Sequence, residues 1–182
     1  AVVAGAVGGG LFRDLVLGIT PPQMLRDPTF ALIAISTSTV FFTILYFNRR
    51  PPSERAMRLY RQMLLYTDAV GLGVFTANGV DTAMRAYPDS TVFTLLFVAL
   101  LTGTGGGILR DIMADETPSV LVKHIYAVAS LAGAVVYLLL RTLISPVYAT
   151  IICTFVVVLI RGLASHNRWN FPRIRPTTPP QA

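Results

Sequence analysis

The chain is a succession of long apolar runs separated by short stretches that carry the prolines and most of the charge. Six runs are visible: Ala1 to about Leu17, Thr29 to Phe47, Met63 to Met84, Thr91 to Met113, Ile125 to Leu143 and Val147 to Ala164. The last five are each about 18–23 residues long, which matches a bilayer core of roughly 30 Å crossed at 1.5 Å per residue. Inside lipid the backbone must satisfy its own hydrogen bonds, so runs of this length are helices. A β-barrel would show alternating strands of about ten residues, and the sequence has none. Only 13% of the 182 residues are charged, and the mean hydropathy is +0.62. Soluble domains carry about 25% charged residues, so the composition excludes disorder and disfavours a soluble domain.

The charges that remain read as topology signals. Fifteen Lys+Arg face nine Asp+Glu, a formal net charge of +6. Nucleic-acid binders spread such an excess over a soluble face. Here eleven of the fifteen fall on the side that holds the C-terminus: Arg49, Arg50, Arg55, Arg58 and Arg61 in the loop after the second run, Arg110 and Lys123, then Arg161, Arg168, Arg173 and Arg175. The other four, Arg13, Arg26, Arg85 and Arg141, lie opposite. The positive-inside rule therefore puts the C-terminus in the cytoplasm. The basic loop and tail serve topology or, alternatively, anionic lipid headgroups.

The sequence also repeats itself. Gly8-Gly9-Gly10-Leu11-Phe12-Arg13-Asp14 returns 97 residues later as Gly105-Gly106-Gly107-Ile108-Leu109-Arg110-Asp111, and Thr20-Pro21 returns as Thr117-Pro118. Seven of the 14 aligned positions are identical. The shift spans three apolar runs, and an odd shift inverts the second copy across the membrane, as in many transport proteins. The expected fold is an all-α integral membrane protein: an inverted repeat of three helices each plus a C-terminal helix. The third run, with Asp68 near its start, opens the second repeat. Its counterpart would precede Ala1, giving seven helices of which six are seen here. The domain reading is one membrane unit over 1–165. The first repeat is partial over about 1–47, the second covers about 63–143, and a final helix covers about 147–164. Residues 166–182 form a Pro/Arg-rich cytoplasmic tail.

Three glycines in a membrane helix weaken it by about 1 kcal/mol each relative to Ala and let other groups approach the backbone. Kinked turns whose carbonyls are freed toward water are good cation ligands. Gly8, Gly9, Gly10, Gly105, Gly106 and Gly107 are therefore candidates for an ion path, with close helix packing as the plain alternative. Adjacent helix residues point about 100° apart. Arg13 and Arg110 are thus expected to reach each other's carboxylates, Asp111 and Asp14, or else to snorkel at the interface. Asp68 is a path carboxylate or a helix-start carboxylate favoured by the helix dipole. Asp81 is expected to be solvated. Thr102 and Thr104 line a path or bond back to their own helix.

Enzyme chemistry finds no support. One cysteine, Cys153, and two distant histidines, His124 and His166, give no metal-ligand spacing. There is no Ser/His/Asp cluster and no phosphate-binding GxxxxGK[ST] loop. Neither cofactor nor nucleic acid is expected.

The doubled GGGxxRD, the Pro21 and Pro118 that follow, and Asp68-x-x-Gly71 resemble the prokaryotic TRIC-type (trimeric intracellular cation) channels, which overlap the glycine-transporter-like membrane proteins. The likeness covers Ala1 to about Ala164. It implies a homotrimer in the bacterial plasma membrane. Each protomer would hold a pore, lined partly by the two GGG-kinked helices, that passes potassium or other monovalent cations. Arg110-Asp111-Ile112-Met113 lacks the lysine cluster with which animal members bind phosphoinositide, so that regulation is not implied. A secondary transporter of a small amino acid such as glycine fits the same inverted repeat.

Overall fold

The computed structural model describes residues 2–47, 54–118, 120 and 125–167; Arg49, Arg50, Lys123, His124 and the tail from Arg168 lie outside these. The described residues are helical, with no strand among them. The helices are α1 (Val2–Val16), α2 (Gln23–Arg26), α3 (Thr29–Phe47), α4 (Glu54–Ala86), α5 (Val92–Met113), α6 (Ile125–Arg141) and α7 (Pro146–His166). Of these, α5 and α7 are each long and apolar enough to cross a bilayer unaided.

The ends of the helices follow local chemistry. Asp27 Oδ1 accepts from the Thr29 amide at 3.0 Å and caps α3, and hydrogen bonding to Thr29 holds the Asp27 carboxyl below its usual range. The Thr91 hydroxyl accepts from the Thr94 amide at the start of α5, and Pro146 opens α7. Tyr87 precedes Pro88, which disfavours helix for that residue, and α4 stops at Ala86.

Two elements differ from the sequence reading. The basic stretch assigned to a loop is helical from Glu54 onward, so Arg55, Arg58 and Arg61 ride on α4. No Gly or Pro interrupts the chain between Glu54 and Gly71, so the membrane helix simply continues outward. Asp68 is consequently about four turns inside α4 and not a helix-start carboxylate. The short helix α2 carries no apolar run that would mark it in the sequence.

Helices α4 to α7 pack into one bundle, α1 lies on α5, and among the described residues α3 touches only α1 and α2. Lipid tails are as apolar as leucine, so membrane helices associate by close approach at small residues. The core shows this: Ala77, Ala99, Ala134, Ala149 and Cys153 are fully buried together with Val80 and Tyr137. A Cβ at Gly73 would lie 2.6 Å from Thr154 Cα, and one at Gly133 would lie 2.5 Å from Val157 Cγ2. The large apolar side chains point outward instead, including Phe42 on α3, Phe93 on α5 and Phe155 on α7.

Candidate functional site

The two glycine triplets meet. A Cβ at Gly9 would collide with the Thr102 carbonyl oxygen, and one at Gly106 with the Gly5 carbonyl oxygen. These are one contact seen twice, because Thr102 and Gly106 stand 97 residues after Gly5 and Gly9. The flanking contacts exchange in the same way. A Cβ at Gly8 would lie 2.5 Å from Leu109 Cδ1, and one at Gly105 would lie 2.9 Å from Phe12 Cδ2. Progress along α1 therefore runs backward along α5: the repeats are antiparallel about an axis at Gly9 and Gly106. The third glycines differ. Gly107 faces the Tyr126 hydroxyl, whereas a Cβ at Gly10 would meet nothing within 4 Å.

The repeat extends to the helix ends. Gly18 and Asp115, 97 residues apart, both adopt positive φ, at 65° and 57°. Beyond them the Ile19 amide donates to the Asp14 carbonyl at 2.8 Å, and the Glu116 amide donates to the Asp111 carbonyl at 2.9 Å. Each triplet helix thus closes with the same left-handed C-terminal turn.

Antiparallel crossing sends Arg13 and Arg110 to opposite ends of the bundle, so neither reaches the other's carboxylate. Each folds back onto its own neighbour. Arg13 Nε donates to Asp14 Oδ1 at 2.8 Å, and Arg110 Nε donates to Asp111 Oδ1 at 2.9 Å. The long guanidinium arm spans the 100° between neighbours, which the sequence argument had excluded.

At one end Arg13 and Asp14 are buried, and their partners Gln23 and Asn78 are exposed. Asp14 is fully buried, and its Oδ2 accepts from the Gln23 amide at 2.7 Å. Arg13 also donates to Gln23 Oε1 at 2.8 Å and to Asn78 Oδ1. At the other end Asp68 joins the pair. Its Oδ1 accepts from Arg110 Nη1 at 3.0 Å and its Oδ2 from Arg161 Nη1 at 2.5 Å. The Arg161 guanidinium stacks 4.5 Å from the Tyr126 ring centre.

Between the ends, the hydroxyls turn inward to the protein. Thr102 donates to the Val98 carbonyl at 2.6 Å and Thr104 to the Leu100 carbonyl at 2.7 Å, the back-bonded alternative for both. Thr76 and Ser130 share a buried hydrogen bond of 2.7 Å beside Gly103. Both triplet helices stay helical through their glycines, and Gly8, Gly9, Gly105 and Gly106 allow the two helices to approach closely. Asp81 is not simply solvated: it accepts from Tyr137 and Arg141 at 3.1 Å each and pairs with Arg85 at 2.7 Å.

Sequence reasoning missed Arg161, Tyr126 and Gln23 as partners. Arg161 had been counted as a topology charge. Its position before Ala164, inside the last apolar run, was the available signal, since a charge within a membrane span is costly and usually paired.

A family model described as "Glycine transporter" matches residues 1–46 and 65–142. The inner membrane protein YadS of Escherichia coli K12 is 35% identical over 92% of this chain and 76% of its own length. A UPF0126 membrane protein of Deinococcus radiodurans is 33% identical over 90% of this chain and 72% of its own. Among solved structures, the TRIC trimeric intracellular cation channel orthologue from Rhodobacter sphaeroides superposes with a TM-score of 0.76 at 30% identity, covering 91% of this chain and 80% of that one. The helical architecture and the length of these matches agree: the chain is an all-α membrane protein, similar to TRIC channels and UPF0126 membrane proteins, and belongs to the Glycine transporter family.

Proposed function

We propose that the protein is a channel for monovalent cations, potassium foremost, with the path in each protomer running beside the α1–α5 crossing. The observation that carries this reading is the likeness, at 30% identity, to TRIC cation channels, over the fold that holds the crossing. In this reading Gly8, Gly9, Gly105 and Gly106 bring two helix backbones together at the bundle centre, with Gly10 open beside the crossing and Gly107 facing Tyr126. Asp14, Asp68 and Asp111 set the field at the two mouths, with Arg13 and Arg110 holding them in place. Thr102 and Thr104 shape the wall through their backbone-bonded side chains. Because each of these carboxylates is paired with an arginine, the balance within each pair sets the field that an entering cation meets. The protein is a homotrimer in the bacterial plasma membrane with its C-terminus in the cytoplasm. Residues 1–165 form one channel unit with lipid around it, and 166–182 form the tail. It performs no catalysis and needs no cofactor.

The description of the matching family favours a second reading, a carrier of glycine. Planar bilayers containing the intact protein separate the two. A channel gives discrete potassium-carrying openings and no saturable uptake of labelled glycine into matched liposomes. Silent bilayers with saturable uptake would replace the channel with the carrier.

A further inference from the structure

The two mouths balance their charges differently. Among the described residues, the Arg13 cluster holds one guanidinium and one carboxylate, with neutral Asn78 and Gln23 completing it. The Arg110 cluster holds two carboxylates, Asp68 and Asp111, hydrogen-bonded to Arg110 and Arg161. Arg110 is shared between both carboxylates, so Arg161 supplies the second cation. It comes from α7, the helix outside the repeat, and at 8% exposure it is too enclosed to act as a headgroup-facing topology charge. Each oxygen of Asp68 is held by an arginine from a different helix.

Building on the channel reading above, we propose that Arg161 is a selectivity-setting residue: by holding the second oxygen of Asp68 it offsets that carboxylate and lowers the negative charge of the Arg110 mouth, so that the mouth does not over-attract cations. Removing Arg161 makes the mouth more negative by one charge, and removing the Asp68 charge makes it more positive by one. Removing both returns the mouth to the parent's charge.

The test is the reversal potential of the intact protein in planar bilayers under a KCl gradient. Arg161→Gln raises the potassium-to-chloride permeability ratio, and Asp68→Asn lowers it. Each changes it about fivefold, the order expected for one unit charge about 4 Å from an ion in a water-filled mouth of bulk dielectric. The double variant returns toward the parent, and Arg161→Lys, which keeps the charge, stays near it. A merely structural role would move both single variants in the same direction or leave the ratio untouched while current persists, and either result overturns the proposal. If Arg161→Gln does not assemble, adding it to Asp68→Asn must still shift the ratio back toward potassium. Failure of that return overturns the proposal equally. A parent protein that carries no current removes the channel reading itself, and this proposal with it, whereas a conducting parent with unmoved variants removes the proposal alone.

Discussion

The Arg13 end and the Arg110 end share a backbone and differ in their side-chain company. Both follow a glycine triplet, both end in a left-handed turn, and both fold an arginine onto the next aspartate. Around that common frame, one end recruits neutral partners from α2 and α4, and the other recruits charged partners from α4 and α7. The repeated residues fix how the two helices cross and stop. The unrepeated residues give the two ends different charged partners, which is how a two-fold architecture acquires a direction.

The largest effect that would break this comparison is expected at Asp14. Among the described residues it is the one carboxylate bonded to Arg13, and both are buried. Asp14→Asn leaves a buried guanidinium with neutral partners, which costs about 3–5 kcal/mol. Asp111→Asn leaves Arg110 still bound to Asp68, so the loss is smaller than at Asp14. Unfolding midpoints in detergent should fall much further for Asp14→Asn. Equal falls would show that the two ends are energetically alike.

The crossing itself gives the next effect. Gly9→Ala and Gly106→Ala each press a methyl group onto a carbonyl of the partner helix, where overpacking costs about 1–3 kcal/mol, and the two losses should match because the contacts do. Gly10→Ala meets open space and gains up to about 1 kcal/mol of helix propensity. Replacing all of Gly105-Gly106-Gly107 with alanine would therefore disturb packing before it straightened anything. A Gly106→Ala protein as stable as the parent would show that the helices do not approach as closely as described.

Much of this was legible in the sequence, for identifiable reasons. Apolar run length marks the helices because the bilayer fixes it, and the 97-residue offset carried the antiparallel crossing because symmetry relates contacts as well as residues. The pairing of Asp68 with Arg161, 93 positions away, was not legible, because no periodicity links side chains on different helices. The Arg–Asp neighbour pairs were misjudged because helix geometry constrains Cβ directions but not the reach of a four-bond arm. The start of α4 was placed too late because apolar runs mark where lipid begins, not where helix begins.

The smallest effect concerns the left-handed turn, where one repeat carries glycine and the other aspartate. Gly18 and Asp115 occupy equivalent left-handed turns. Glycine has no Cβ to strain there, while aspartate tolerates the conformation at some cost. Asp115→Gly should therefore stabilise the protein by a few tenths to about 1 kcal/mol, with no change at the Arg13 end. Gly18→Ala should destabilise it by about 1 kcal/mol or more, since alanine has no polar group to soften the strain. Thermal midpoints of the two variants, measured beside the parent in one detergent, should move in opposite directions. Movement in the same direction would mean that the Asp115 side chain makes a compensating contact in its turn, and that the two helix ends differ in their caps as well as in their charges.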